Sequence, residues 1–351
     1  MPLAAAARPL IHASSKRPIR RAGPDHSRSL RRLFQGLFLG LNLWIGIQFY
    51  GFFRYYETGG THFWPSRPPG VEGWLPIASL MNLKVLVATG AVPRLHPAGM
   101  FLLLAFLAIS WAFRRSFCSW LCPAGTLSEW LWRLGLSTFG RTFRLPRALD
   151  VALRGVKYVL LALFLAAVGS MTVPAIHAFL EGPYGMVDDV KMLNFFRTLG
   201  LAGGLAMAIL VIGSVLVQNF WCRYLCPYGA MLGLVSLAGP LRIRRSPERC
   251  IDCGKCARAC PAQLPVDRLV TIRSAECLGC LECVAACPVE GALQMAAPGG
   301  RRVPAWAVAV GTAVLFLGIT GYARWSGHWH TDLPARVYFE LVPRANEFSH
   351  P

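Results

Sequence analysis

Charge is scarce in this sequence. Charged residues fill 15% of its 351 positions, against roughly 25% in ordinary globular chains, and Asp and Glu together number only 17. With 54% apolar residues beside that shortage, a purely water-soluble protein is excluded and a membrane protein is indicated. The longest apolar runs carry no Asp, Glu, Lys or Arg in their middles, only amides such as Asn42 and Gln48. Proton pumps and ion carriers keep ionisable groups at membrane depth, which speaks against a transporter. A nucleotide loop, a nucleophile motif and an acid-base pair are also missing, so no catalytic residue is assigned.

What is present is hydrophobicity of span length. Crossing about 30 Å of hydrocarbon takes roughly 17 to 25 residues, and five runs qualify: 33–53, 97–113, 156–174, 199–219 and 303–322. A sixth, 75–90, is shorter and contains Lys84; it reads as a re-entrant or interfacial helix at the outer face. Placing the N-terminus inside puts 27 Lys/Arg and 9 Asp/Glu on the cytoplasmic side against 9 and 8 on the other. The net charge of +19 is then a topology signal with anionic-lipid contact, and no nucleic acid is expected. All twelve cysteines fall on the same reducing side. The expected location is the bacterial inner membrane, with the N-terminus and the cysteines cytoplasmic and the C-terminus periplasmic.

Residues 1–32, with eight Lys/Arg against Asp25, read as a basic disordered tail. The Arg31-Arg32 pair resembles an export signal, but a span-length apolar run follows it and no cleavage site does. The membrane domain is expected over 33–239, a ferredoxin-type domain over 240–300, the last span over 303–322 and a periplasmic tail over 323–351. Gly36 with Gly40, and Gly200 with Gly204, suit close helix packing.

Two runs share the pattern C-x2-C-x2-C-x3-C-P: Cys250, Cys253, Cys256, Cys260 with Pro261, and Cys277, Cys280, Cys283, Cys287 with Pro288. Three thiolates two residues apart wrap one cube, and the fourth, displaced and followed by Pro, serves the other cube. Cluster 1 is therefore assigned to Cys250, Cys253, Cys256 and Cys287, and cluster 2 to Cys277, Cys280, Cys283 and Cys260. Zinc fits poorly, since it takes pairs of cysteines separated by longer loops. So short a domain is expected to depend on its clusters for stability.

The other four cysteines form a duplicated elbow, aromatic-C-x-aromatic-L-C-P-x-G, with Cys118 and Cys122 in one copy and Cys222 and Cys226 in the other. Pro123 and Pro227 are expected to start short helices, which puts Cys122 and Cys226 at helix N-termini. Three readings stay open: a third metal centre, redox-active dithiols or transient copper ligands, and plain packing. Haem between histidines such as His96 and His177 would need them deeper; solvated or capping roles suit these two, His62, His328 and His330 better. A quinone site is conceivable beside 75–90.

These motifs, with the stretch from Arg67 to Ile77 and the Gly327-His-Trp-His tail, resemble the bacterial membrane polyferredoxins. That family includes the ferredoxin-bearing subunit NapH of nitrate reductase systems and the membrane half of NosR. The resemblance covers about residues 33 to 334. It implies a mainly α, polytopic membrane protein, about five transmembrane helices plus one re-entrant helix, with a small α+β ferredoxin-type domain holding two 4Fe-4S clusters. It also implies relay of electrons between a quinol pool or cytoplasmic donor and a periplasmic redox partner, by a subunit more than by a stand-alone enzyme. The alternative is a maturation factor that reduces or delivers copper for a respiratory oxidase or reductase. NosR-like chains carry a flavin domain before their first span, where this sequence has only the basic tail, so covalent flavin is not expected.

Overall fold

The computed structural model describes residues 20–23, 25–63 and 65–350. The chain is mainly helical. In order come α1 (Ser27–Glu57), α2 (Pro76–Thr89), α3 (Pro97–Ala112), α4 (Ser116–Trp120), α5 (Pro123–Phe139), α6 (Arg147–Ser170), α7 (Val173–Leu180) and α8 (Pro183–Met186). Then follow α9 (Asp188–Arg197), α10 (Leu201–Leu216), α11 (Pro227–Ala238), α12 (Lys255–Arg258), α13 (Glu282–Ala285), α14 (Ala305–Trp325) and α15 (Ala335–Leu341).

Among the described residues, α1, α6 and α14 are long and apolar enough to cross a membrane. The apolar runs 97–113 and 199–219 become α3 and α10, each of 16 residues, or about 24 Å at 1.5 Å per residue. α10 joins α9 across an 84° bend at Thr198–Gly200. α1, α6, α10 and α14 expose apolar stripes at helical spacing; on α10 these are Leu201, Leu205, Ile209 and Ile212. Water solvates such stripes badly and acyl chains solvate them well. α3 differs, because it is apolar all round and lies inside, packed by α2, α11 and α14.

The stretch 75–90 forms α2, which packs on α3, α7 and the end of α6; the Lys84 ammonium donates to the Val168, Gly169 and Met171 carbonyls that end α6. Its charge therefore caps a helix C-terminus.

The expected tail needs correction. Residues 1–19 lie outside the described residues, but α1 begins at Ser27, and Arg20–Ala22 pairs with the ferredoxin loop through Ala22 N to Pro288 O (3.0 Å) and Glu290 N to Arg20 O (3.0 Å). Arg31 is 1% exposed and holds Glu129 and Glu282 at 2.5 and 2.6 Å. Buried carboxylates, which composition does not reveal, order this segment.

Candidate iron-sulfur centres

The ferredoxin-type segment is anchored by a two-stranded antiparallel sheet, β1 (Arg242–Arg245) against β2 (Leu293–Ala296), in which Ile243 faces Met295. Each cysteine run then turns in the same way. The residues flanking its second cysteine are left-handed: Asp252 (φ 53°) and Gly254 (65°) in the first, Gly279 (61°) and Leu281 (60°) in the second. A short helix follows in both, α12 and α13. Non-Gly residues resist that conformation, so its repetition at Asp252 and Leu281 marks a loop shaped around something.

Cys250, Cys253, Cys256 and Cys287 line one cavity, and Cys260, Cys277, Cys280 and Cys283 line a second. These are the two groupings expected from the spacing. Yet among the described residues no three His, Cys, Asp or Glu side chains converge closely enough to hold a single ion. A zinc ion with bonds of about 2.3 Å needs such convergence, whereas thiols spaced around a cavity suit a polynuclear cube. The cages differ in exposure: Cys260, Cys277 and Cys283 are buried, while all four thiols of the first cage are partly exposed.

The duplicated elbows lie directly beneath the second cage. Cys122 is the N-cap of α5 and its sulfur accepts from Gly125 N at 3.4 Å; Cys226 is the N-cap of α11 and accepts from Gly229 N at 3.2 Å. Pro123 and Pro227 occupy the first helical position in both. The first elbow enters through α4, the second through one π-helical turn, Trp221–Leu225. Between the copies lies Arg115, 1% exposed, with Nε 3.4 Å from Cys118 Sγ and Nη2 donating to Cys222 O at 3.3 Å. Burial pushes the Cys122 thiol up to about 12, with Cys118 and Cys226 adding to the rise, and Cys222 and Cys226 are raised as well. Reactive dithiols show the opposite shift. Four thiols gathered around a buried guanidinium and two helix N-termini form a pocket whose donors face negative charge.

Both elbows grip the loops of the second cage. Ser119 Oγ donates to Leu278 O at 2.8 Å, Trp120 Nε1 to Gly279 O at 3.3 Å, and Arg223 Nη1 to Ala262 O at 2.9 Å. A Cβ at Gly279 would stand 2.8 Å from Phe113 O, which explains the glycine. Glu276, just before Cys277, receives Lys157 Nζ at 2.6 Å and Tyr158 OH at 3.0 Å, and Arg115 stands 3.8 Å away. Burial would raise this carboxyl, but Lys157 and Arg115 outweigh it and hold it below the usual range.

At the opposite end of the bundle is a site that the sequence reading missed. Arg67 bonds Asp189 Oδ2 at 2.7 Å and Glu72 Oε1 at 2.6 Å; Glu72 (0% exposed) also accepts from Thr331 Oγ1 and Gly99 N. His96, at 1% exposed, bonds Gly185 O at 2.9 Å, so it is neither solvated nor a haem ligand in waiting. His177 is half-exposed beside Glu181. The signal was available in Arg67 and Glu72, which share one short loop.

Burial alone would depress His96, but Asp188 and Glu72 overcome it and hold the imidazolium up to about 9. A raised cationic pKa gives stability that is complete below the unfolded value of about 6.5 and is lost as pH rises through about 9. Asp188, raised to about 7 by burial, shifts the same way. Hydrogen exchange of amides 185–190, corrected for intrinsic rate, is thus expected to accelerate over that window and to lose the dependence in His96→Gln.

A cleft of about 1020 Å³ beside α2 is lined by apolar side chains including Ile77, Met81, Phe164 and Phe179, with Tyr184 at its edge. It lies at this same end, away from every cysteine.

A membrane-helical chain with two cysteine cages docked on a duplicated cysteine elbow defines a class, and the chain belongs to it: the membrane polyferredoxin-like 4Fe-4S family. It is 46% identical over 326 residues, 91% of each chain, to YccM of Escherichia coli (strain K12), a protein named for electron transport. Over 205 residues it is 32% identical to the regulatory protein NosR of Pseudomonas aeruginosa, covering 54% of this chain and 27% of NosR. Over 189 residues it is 27% identical to the ferredoxin-type protein NapH of Escherichia coli, covering 52% and 59%. Residues 95–144 and 199–246, which contain the two elbows, match a 4Fe-4S binding domain, and 242–299 match a 4Fe-4S dicluster domain. No solved structure matches the chain.

Proposed function

We propose that this chain is a membrane-bound electron-transfer protein that relays single electrons through two 4Fe-4S clusters between a quinol or cytoplasmic donor and a respiratory or periplasmic partner. Cys250, Cys253, Cys256 and Cys287 hold cluster 1, and Cys277, Cys280, Cys283 and Cys260 hold cluster 2. Cys118, Cys122, Cys222 and Cys226 hold a third iron-sulfur centre. Each cube supplies one-electron chemistry when bound. The chain's own residues set the order: the partly exposed cage faces solvent, and the buried cage is clamped to the elbows. The observation that carries the reading is this clamp, in which Ser119 and Trp120 of one elbow and Arg223 of the other all bond carbonyls within two residues of ligands of the second cage.

All twelve cysteines share the end of the bundle where Arg20–Ala22 meets the ferredoxin loop. With the basic excess, this supports an inner-membrane protein whose N-terminus and ferredoxin domain are cytoplasmic and whose C-terminus is periplasmic. A cytoplasmic donor would meet the partly exposed cage, and a quinol would use the cleft at the other end.

Iron and labile sulfide per chain, with low-temperature EPR, test this. Anaerobic protein is expected to hold about twelve iron, falling to about eight when Cys118→Ser and Cys222→Ser are combined. About eight in the native protein would remove the third centre, and a value well below that would remove the cages.

A further inference from the structure

The outer edge of the first cage is not an ordinary solvated surface. Ile251, between the first two ligands, is 41% exposed, and Leu269 and Val270 are 38% and 53% exposed. The three are brought together by Arg245: its Nη1 stands 3.6 Å from Asp252 Oδ1, its Nε bonds Leu269 O at 3.3 Å, and its backbone N bonds Val270 O at 2.8 Å. Around this apolar centre the exposed charges of residues 244–268 are five cations, Arg244, Arg249, Lys255, Arg258 and Arg268, against two acids, Glu248 and Asp252.

An apolar centre within a charged rim is the anatomy of a protein interface. The elbow-facing side of the domain is already occupied, because loops 274–279 and 262–263 are bonded to the membrane helices there. The patch belongs to the other cage and touches none of those elements through the bonds described.

We infer that this face docks an acidic, water-soluble one-electron carrier protein, whose negative rim meets Arg249, Lys255 and Arg268 while Ile251, Leu269 and Val270 cover the contact. The inference rests on the relay reading above and names the donor on its ferredoxin side. Opposite charge on the two rims steers encounter and fixes register, so the association is fast, weak and salt-sensitive. The carrier gives up one electron per encounter and returns to solution one electron more oxidised.

The test uses the full-length protein in nanodiscs and flavodoxin as the acidic probe. Binding of oxidised flavodoxin is measured by calorimetry or biolayer interferometry between about 50 and about 500 mM salt, across which the screening length falls from beyond 10 Å to a few ångströms. Wild-type affinity is expected to drop steeply with salt. The triple variant Arg249→Glu, Lys255→Glu, Arg268→Glu is expected to bind at least about tenfold more weakly at low salt, with a flat salt profile. Iron content and photoreduction of both proteins by neutral deazaflavin radical are expected to match. Equal flavodoxin affinity for wild type and variant overturns the inference, as does a variant whose only change is its response to anionic against neutral nanodisc lipid. Failure of deazaflavin to reduce intact, iron-loaded protein overturns the relay reading instead, and leaves the binding result to stand or fall by itself.

Discussion

Cys280→Ala is expected to remove about four iron per chain and to release the ferredoxin domain from the membrane helices, whereas Cys253→Ala removes the same iron and leaves the domain seated. The difference follows from where each cage lies. Leu278 and Gly279, beside Cys280, give their carbonyls to Ser119 and Trp120, and Arg114 Nη2 donates to Ser274 O at 2.7 Å. Leu281 is left-handed without being glycine, a conformation that persists only where the surrounding loop enforces it, so emptying the cage is expected to free the loop that carries these acceptors. The first cage is partly exposed, and no bond described here runs from its loop at 250–256 to the helices. For a domain this small, ligand binding is folding energy. Iron per chain, together with tryptic cutting at Arg242–Arg249 and Arg268–Arg273, measures both effects. Full iron retention in Cys280→Ala, or equal protease resistance in the two variants, counts against the assignment.

The cages were legible because their geometry is written in short spacing: two residues between thiolates leave the loop one way to wrap, and the Pro after the fourth cysteine turns it aside. The elbow helices were legible for a similar local reason, since Pro123 and Pro227 suit only the first helical turn. Charge was misread. Arg31, Arg115, Lys157 and Arg223 count toward an inner-face excess in a sequence reading, yet all four are buried on carboxylates or loop carbonyls. Topology rules weigh a basic residue by its side of the membrane and ignore its partner, and partners such as Glu276 and Glu282 lie more than a hundred residues away in the chain.

Span boundaries failed for a different reason. The run 199–219 carries no charge, but the helix ends at Leu216, and Val217, Gln218 and Asn219 form the approach to the second elbow. The run 156–174 misses a turn and more at its start, because α6 opens at Arg147 with Asp150 in its first turn, bonded to Arg223 and Tyr224. Hydropathy reports what lipid tolerates. It is silent on where a polar contact to another segment extends or stops a helix.

Arg115→Ala is expected to cost the elbows their iron while the two cages keep theirs. Among the described residues, this guanidinium is the one buried cation bonded to both copies: it reaches Cys118 Sγ with Nε and Cys222 O with Nη2, and a Cβ at Gly229 would collide with it. Four thiolates around an iron-sulfur centre carry net negative charge, and removing a fixed positive charge from a dry site raises the cost of holding it. The same deletion leaves Glu276 with Lys157 and Tyr158 alone, so the melting temperature is expected to fall too. Arg115→Lys separates the two contributions. It keeps the charge but cannot fork to a sulfur and a carbonyl at once, so a partial recovery of elbow iron is expected, with stability still low. Lys157→Met, which weakens the Glu276 anchor without touching either elbow, is expected to lower the melting temperature and leave elbow iron intact. Normal iron in Arg115→Ala, or equal iron loss in Lys157→Met, would mean that the arginine only fastens the ferredoxin loop and that the four thiols hold their centre without it.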